Sequence, residues 1–279
     1  MPVNSKLGKA CLWAENPYST TNNTVFSLSK YKSERNIYFM IIDAKNTSLH
    51  FEDLNKQIRN CKEDIIIENC LGQRFIGCGE DKKTITINGT PGNEVGAYLN
   101  GAKIVVNGNT QEATGNTMNA GEIIIHGSTG DHAGYAMRGG AIYVKKDAGY
   151  RAGIHMKAYH DKLPVMVIGG KCGSFLGEYQ AGGIIIVLGL GIKGNVVSHF
   201  CGTGMHGGKI IVRCDQLSVR IPEQLKEKPA TKKELEEIKP YIKKFCRFFS
   251  VKEEIIYDKE FVVLTPNTSS PYKQLYIQN

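Results

Sequence analysis

The sequence predicts an all-β core built as a parallel β-helix of about 19 residues per coil, and three observations carry that prediction. Short aliphatic runs recur at a fixed interval: Ile85-Thr-Ile-Asn-Gly89, Ile104-Val-Val-Asn-Gly108 and Ile123-Ile-Ile-His-Gly127 start 19 residues apart, and Ile142-Tyr-Val144 starts 19 after that. A glycine follows each run at constant offset, at Gly96, Gly115, Gly134 and Gly153, with equivalents at Gly77, Gly177 and Gly202. The first and third positions of every run are apolar, from Ile85 and Ile87 to Ile210 and Val212. Units this short, with one strand each, cannot bury a core alone and have to stack on their neighbours.

The elements follow in chain order. Residues 1–35, with Asn16-Pro17 and the run Ser19 to Thr24, show no sustained period of 2 or 3.6, and such composition does not bury enough apolar surface to offset chain ordering. They read as a flexible N-terminal extension. Residues 36–64 read as a strand-helix lead-in: a buried strand at Ile37 to Asp43, then an amphipathic helix over Phe51 to Asn60 with Phe51, Leu54 and Ile58 on one face.

The β-helix is expected over 65–215. The Gly-Gly-x-Ile signature places coil starts at 66, 85, 104, 123, 142, 166, 185 and 210, which implies insertions near Ala158 to Leu163 and near Lys193 to Phe200. Insertions in repeat proteins map to surface loops, often on a binding face, so Tyr159 and Val196 are interface candidates. The columns Leu99, Met118, Met137, Met156, Gln180, Met205 and Val95, Thr114, Ala133, Ala152, Leu176 read as interior ladders. The middle strand positions point the other way. There Ile124, Tyr143, Ile186 and Ile211 make an outer face too apolar to stand in water, to be covered by the chain's own termini or by a partner subunit.

Residues 216–279 read as a helical cap and tail. Thr231 and Glu234 form a capping box, Leu235, Ile238, Ile242, Phe245 and Phe249 recur at helical spacing, and Pro240 should kink or split the helix. The helix suits a lid on the end of the coil stack. Ile255 to Tyr257 and Phe261 to Leu264 look like a terminal hairpin.

Composition narrows the chemistry. The formal charge of +8 raises nucleic acid as a partner, but many lysines fall between Lys226 and Lys252 beside Glu234, Glu236 and Glu237, where they read as a solvated helix face. Acidic partner proteins are the next reading, with no nucleic acid expected. No apolar run reaches the roughly 20 residues of a membrane span, so a cytoplasmic chain with no membrane contact is expected. Eight scattered cysteines without a C-x-x-C pair argue for reduced thiols rather than a zinc or iron–sulfur site in this chain.

Three chemical readings compete with that view. Gly189-Leu-Gly-Ile-Lys-Gly194 matches a dinucleotide loop after a strand, but no helix follows, and the pattern returns at Gly202-x-Gly204-x-x-Gly207 as a coil-turn feature. His126, His132 and His155 occupy different columns and do not converge on a metal. Glu112 and Asp131 should be neighbours, which keeps an independent enzyme with paired carboxylates open, although a surface ladder balanced by Arg151 is more economical.

Gly139-Gly-Ala-Ile-Tyr-Val144, Tyr150-Arg-Ala-Gly-Ile-His-Met-Lys157, Phe175-Leu-Gly-Glu178, Gly182 to Gly191 and Gly202-Thr-Gly-Met-His-Gly-Gly208 together carry a family resemblance. From about Ile37 to Leu264 the chain resembles the C-terminal GxGxG domain of the glutamate synthase large subunit, in the stand-alone form found where that subunit is split among genes. The resemblance implies a right-handed β-helix acting as a non-catalytic scaffold. It also implies that the glutamine amidotransferase and the synthase subunit with its FMN and iron–sulfur cluster are partners, and that the chain itself carries no catalytic, cofactor or metal residues. A similar domain forms one subunit of formylmethanofuran dehydrogenase, which is the alternative.

Overall fold

The computed structural model describes residues 29–32, 38–45 and 51–267, with the backbone alone for 29–32 and 38. The chain lays down β1 (Ser29–Lys32), β2 (Tyr38–Asp43), α1 (Phe51–Asn60), β3 (Asp64–Leu71), β4 (Thr84–Thr90), β5 (Asn100–Asn107), β6 (Ala120–Ile125) and β7 (Ala141–Val144). It continues through β8 (Val165–Ile168), β9 (Ala181–Val187), β10 (Gly207–Arg213), β11 (Leu225–Pro229), α2 (Lys232–Phe249), α3 (Glu253–Ile256) and β12 (Phe261–Pro266). All twelve strands join one sheet in the order β1 to β10, then β12, then β11. From β2 to β10 every neighbour is parallel and follows in sequence, so the chain returns to the same sheet edge after each repeat.

The register is the one the repeats imply, with one change. Ile85, Ile104, Ile123, Ile142, Met166, Ile185 and Ile210 pair in succession. At the start, however, Ile65 and not Ile66 pairs with Ile85. A register shift between Ile67 and Cys70 takes up the extra residue, and Asn69 there adopts φ +54°, as in a β-bulge. The connections are bonded as well as the strands. Isolated parallel bridges link Thr110, Thr129, Ala148, Cys172 and Val197, and a third ladder runs through the glycines, where Gly115 donates to Val95 O and Gly134 to Thr114 O, each at 2.8 Å.

Apolar side chains fill the space these three ladders enclose. Leu99, Met118, Met137, Met156 and Met205 are fully buried in one column, and Val95, Thr114, Ala133, Ala152 and Leu176 in another. Each such side chain is worth roughly 1.5–3 kcal/mol on burial when it is as large as Val or Met. Gln180, also fully buried, keeps its amide nitrogen satisfied by donating to Gly182 O and Gly183 O, both at 3.1 Å.

The C-terminal region departs from expectation. α2 does not cap the end of the stack; it lies across the outer sheet face, where Ile238, Ile242, Phe245 and Phe249 bury Ile124, Tyr143, Val167, Ile186 and Ile211. The end is closed instead by β12, antiparallel to β10, with β11 antiparallel beyond it. Residues 253–256 form α3, so the partners of β12 are β10 and β11 and not a strand at Ile255 to Tyr257. α2 also runs unbroken through Pro240. Packing of Ile238 and Ile242 on either side offsets the amide bond that proline removes. Its N-terminus carries the expected capping box of Thr231 and Glu234.

The lead-in forms β2 and α1, with Leu54 and Ile58 buried and Phe51 partly so. Most of the extension expected over 1–35 lies outside the described residues, but Ser29–Lys32 pairs antiparallel with β2. The first insertion makes a small loop closed by a Tyr159–Lys162 bridge. The second sits earlier than expected, between Gly189, which donates to Gly170 O, and Val196, whose carbonyl accepts from Cys172. Among the described residues, no helix is long and apolar enough to cross a membrane.

Candidate functional site

The turn segments hold the most unusual backbone in the molecule. Each repeat places three left-handed residues two apart, with a glycine in the middle: Glu94, Gly96, Tyr98; Ala113, Gly115, Thr117; His132, Gly134, Ala136; Arg151, Gly153, His155; Phe175, Gly177, Tyr179. A left-handed conformation costs a non-glycine residue roughly 1–2 kcal/mol. Inter-repeat hydrogen bonds hold it in place, since Glu94 donates to Glu112 O at 2.9 Å and Tyr98 to Asn116 O at 2.7 Å, while Gly96 donates backward to Ile76 O at 2.9 Å. The middle position has a second reason to be glycine. A Cβ on Gly115 would lie 2.5 Å from Ile142 Cδ1, inside the core.

Side chains from the outer left-handed positions build an aromatic surface on this turn face. Phe175 stacks on Phe200 with centroids 4.8 Å apart, His155 stacks on Tyr179 at 5.2 Å, and Tyr135 meets His155 edge-on at 5.9 Å. Arg151 lies over Tyr150 and Phe175, 4.8 and 5.3 Å from their ring centres, with Nε 2.7 Å from the buried Glu178 Oε2. Beyond Phe200, which is 57% exposed, His199 and Thr203 face Arg220, Ile221, Pro222 and Gln224 across a groove of about 460 Å³. Such a surface offers stacking and apolar contact, the chemistry of an interface.

Around the candidate acids, side chains and main-chain amides bond from one repeat to the next. Asp131 Oδ1 accepts from the Tyr150 amide at 2.7 Å, and the Glu112 amide donates to Asn93 Oδ1 at 3.2 Å. Arg151 pairs with Glu178, one repeat further on, rather than with the acids at 112 and 131. His126 packs edge-on against Phe249 at 5.2 Å, and its pKa is lowered by burial and by the Lys145 charge. His132 lies against Tyr150, and His155 against Tyr179, so the three imidazoles do not meet. Burial pushes the Glu94 carboxyl above its ordinary value, against two hydrogen bonds from the Asn116 amide at 3.0 and 3.2 Å.

Thiol chemistry is equally subdued. Burial pushes Cys70 and Cys201 up to about 12 and Cys172 well above its ordinary value, which disfavours the thiolates a cluster would need. Among the described residues no group of three His, Cys, Asp or Glu side chains is arranged to hold a metal ion. After β9 the glycine-rich stretch Gly189 to Gly194 continues into bends and turns without a helix.

The interface candidates separate into two groups. Ile124, Tyr143, Ile186 and Ile211 are 0–2% exposed beneath α2, so that face is already occupied and is not free for a partner. Tyr159 is 50% exposed on the first insertion, while Val196 is half-buried on the second. The column glycines Gly77, Gly96, Gly115, Gly134, Gly153, Gly177 and Gly202 all take positive φ, between +65° and +73°. Sequence reasoning missed the non-glycine left-handed positions and the aromatic files they carry. The signal was present in the columns two residues either side of the glycines, where His132, Arg151, Phe175 and Phe200 form one file and Tyr98, His155 and Tyr179 the other.

Comparison with known proteins places this geometry. The GXGXG motif model matches residues 41–267. A protein of Methanocaldococcus jannaschii, described as uncharacterized, is 44% identical over 254 residues, covering 85% of this chain and 96% of its own length. A chain of the formyltransferase/hydrolase complex of Methylorubrum extorquens, solved with methylofuran, superposes with a TM-score of 0.55 at 19% identity over 71% of each chain, a likeness of fold alone. The present chain belongs to the GXGXG motif family, whose domain is found in the C-terminal region of the glutamate synthase large subunit.

Proposed function

We propose that the chain is a non-catalytic scaffold subunit of a split glutamate-synthase-type complex, which forms glutamate from glutamine and 2-oxoglutarate. On this reading the stack is a right-handed parallel β-helix in the cytoplasm. It holds a glutamine amidotransferase subunit against a synthase subunit that carries FMN and an iron–sulfur cluster. The observation that carries the reading is the GXGXG match over residues 41–267, joined to polar side chains that are spent on hydrogen bonds between repeats. The coil glycines and the exposed insertion at Tyr159 are then structural and docking features respectively, without catalytic duty.

A second reading is supported by the solved structure that resembles this fold, a chain of a formyltransferase/hydrolase complex. There the chain would be the β-helix subunit of a formylmethanofuran-dehydrogenase-like assembly. Reconstitution separates the two. Glutamine-dependent glutamate formation by the amidotransferase and flavin subunits should require the added chain; activity that is indifferent to it would reject the first reading.

A further inference from the structure

The aromatic file of the turn face stops at Phe200, and the chain leaves the described residues beside it. Phe175 covers one side of the Phe200 ring at 4.8 Å, yet Phe200 stays 57% exposed, since the coils end there and β11 and β12 follow. The groove of about 460 Å³ opens at this point, with Phe200 and Thr203 on one wall and Arg220, Ile221, Pro222 and Gln224 on the other. Both walls are held in place. Thr203 Oγ1 donates to Phe200 O at 2.9 Å and the Leu225 amide to Pro222 O at 3.0 Å, while a Cβ on Gly202 would lie 2.5 Å from Leu225 Cδ1, so Leu225 is seated against the last coil.

The last strand delivers the chain to the same groove. β12 pairs with β11 as far as Pro266 against Leu225, and Asn267 then donates its amide to Gln224 O at 2.8 Å and its Nδ2 to Glu223 O at 3.0 Å. Residues 268–279, Thr-Ser-Ser-Pro-Tyr-Lys-Gln-Leu-Tyr-Ile-Gln-Asn, lie outside the described residues. Their order suits an apolar groove: short polar residues first, Pro271 with its fixed φ, then Tyr272, Leu275, Tyr276 and Ile277. Tyr272 stands five residues past Asn267, a reach of up to about 17 Å. Two or three repeats of about 4.8 Å fall within that span.

The geometry points to the chain's own residues 271–277 as the occupant of this groove, with Tyr272 on the open side of Phe200 as the next ring of the file. Attachment favours this occupant over an outside one. A segment bonded at the lip is present at an effective concentration in the millimolar range, whereas a free partner has to offset the cost of association for the same contacts. Arg220, 91% exposed and 3.8 Å from Glu223, lines the groove where a guanidinium can cover a tyrosine ring, as Arg151 covers Tyr150 elsewhere on this face. A partner that uses this end of the turn face has to displace the segment first.

A single tryptophan in the full chain tests the placement: W13F removes the native indole and Y272W puts the reporter in the segment. Acrylamide should quench it about threefold less than it quenches a free peptide of residues 266–279 carrying the same change, at every protein concentration. Adding F200S/I221S, or I221S alone, should raise the quenching toward that of the peptide while the stack still melts cooperatively. Adding L71S, at an 81% exposed site far along the stack in β3, should not. Peptide-like quenching with the groove intact, shielding retained in F200S/I221S and in I221S, or equal release by L71S would overturn the placement. Shielding that appears only as protein concentration rises would overturn it too, because the segment would then sit on a second copy.

Discussion

Lys244 in α2 reaches Glu122 in β6 across 122 residues of sequence, with Nζ 2.6 Å from Oε1. Lys209 in β10 meets Glu237 at the other end of the helix at 2.5 Å, so the two pairs set α2 across the strands from β6 to β10. Both pairs are partly exposed and each is worth about 0.2–1 kcal/mol at most. The weight lies beneath them, in Phe245 and Ile242, which are fully buried against Tyr143 and its neighbours. Phe245→Ala should therefore cost about 3–5 kcal/mol and Lys244→Ala less than about 1 kcal/mol in urea unfolding. Equal losses would contradict this division.

Gly134 combines φ +70° with a Cβ position 2.5 Å from Met166 Sδ. Gly191 has a similar φ of +72° but open space around it. Gly134→Ala should lower stability by about 1–3 kcal/mol, more than Gly191→Ala, where the backbone penalty of about 1 kcal/mol acts alone. Thermal melting of the two variants compares them directly, and an equal effect would remove the steric part of the argument.

Glu234 ties the helix start to β11. Burial pushes its carboxyl up, but hydrogen bonds from Lys228 and Thr231 outweigh that and hold it at about 2. A carboxylate whose pKa is depressed by folding stabilises the protein above its unfolded value of about 4.3, and that contribution fades as pH falls through the folded value. The stability gap between wild type and Glu234→Gln should thus be widest at neutral pH and close as pH drops from about 4.5 toward 2. A gap that stays constant over this range would show that the charge contributes nothing.

Much of the stack was legible because its signal is periodic. Ile85 to Ile210 stand at one column in the sequence and pair at that column in the sheet. The first strand slipped by one because a bulge at Asn69 leaves no mark in an aliphatic run such as Asp64-Ile-Ile-Ile67. The apolar stripe of α2 announced that the helix covers something, but an amphipathic pattern carries no address. Its place on the outer face rather than the stack end comes from the apolar patch of Ile124, Tyr143, Ile186 and Ile211, remote in sequence. Likewise β12 pairs with β10 and β11, because the open edge of the sheet outcompetes a local hairpin. The Arg151–Glu178 pair joins two different columns of neighbouring repeats, a diagonal contact that the column alignment does not specify.

The central claim is that this chain works as a structural member of a larger complex. Purification of the tagged chain from its native extract, followed by light scattering and identification of the bound subunits, tests it most directly. The account predicts a stoichiometric assembly containing an amidotransferase subunit and a flavin-bearing synthase subunit. A lone 30.8 kDa monomer, recovered without either, would contradict it.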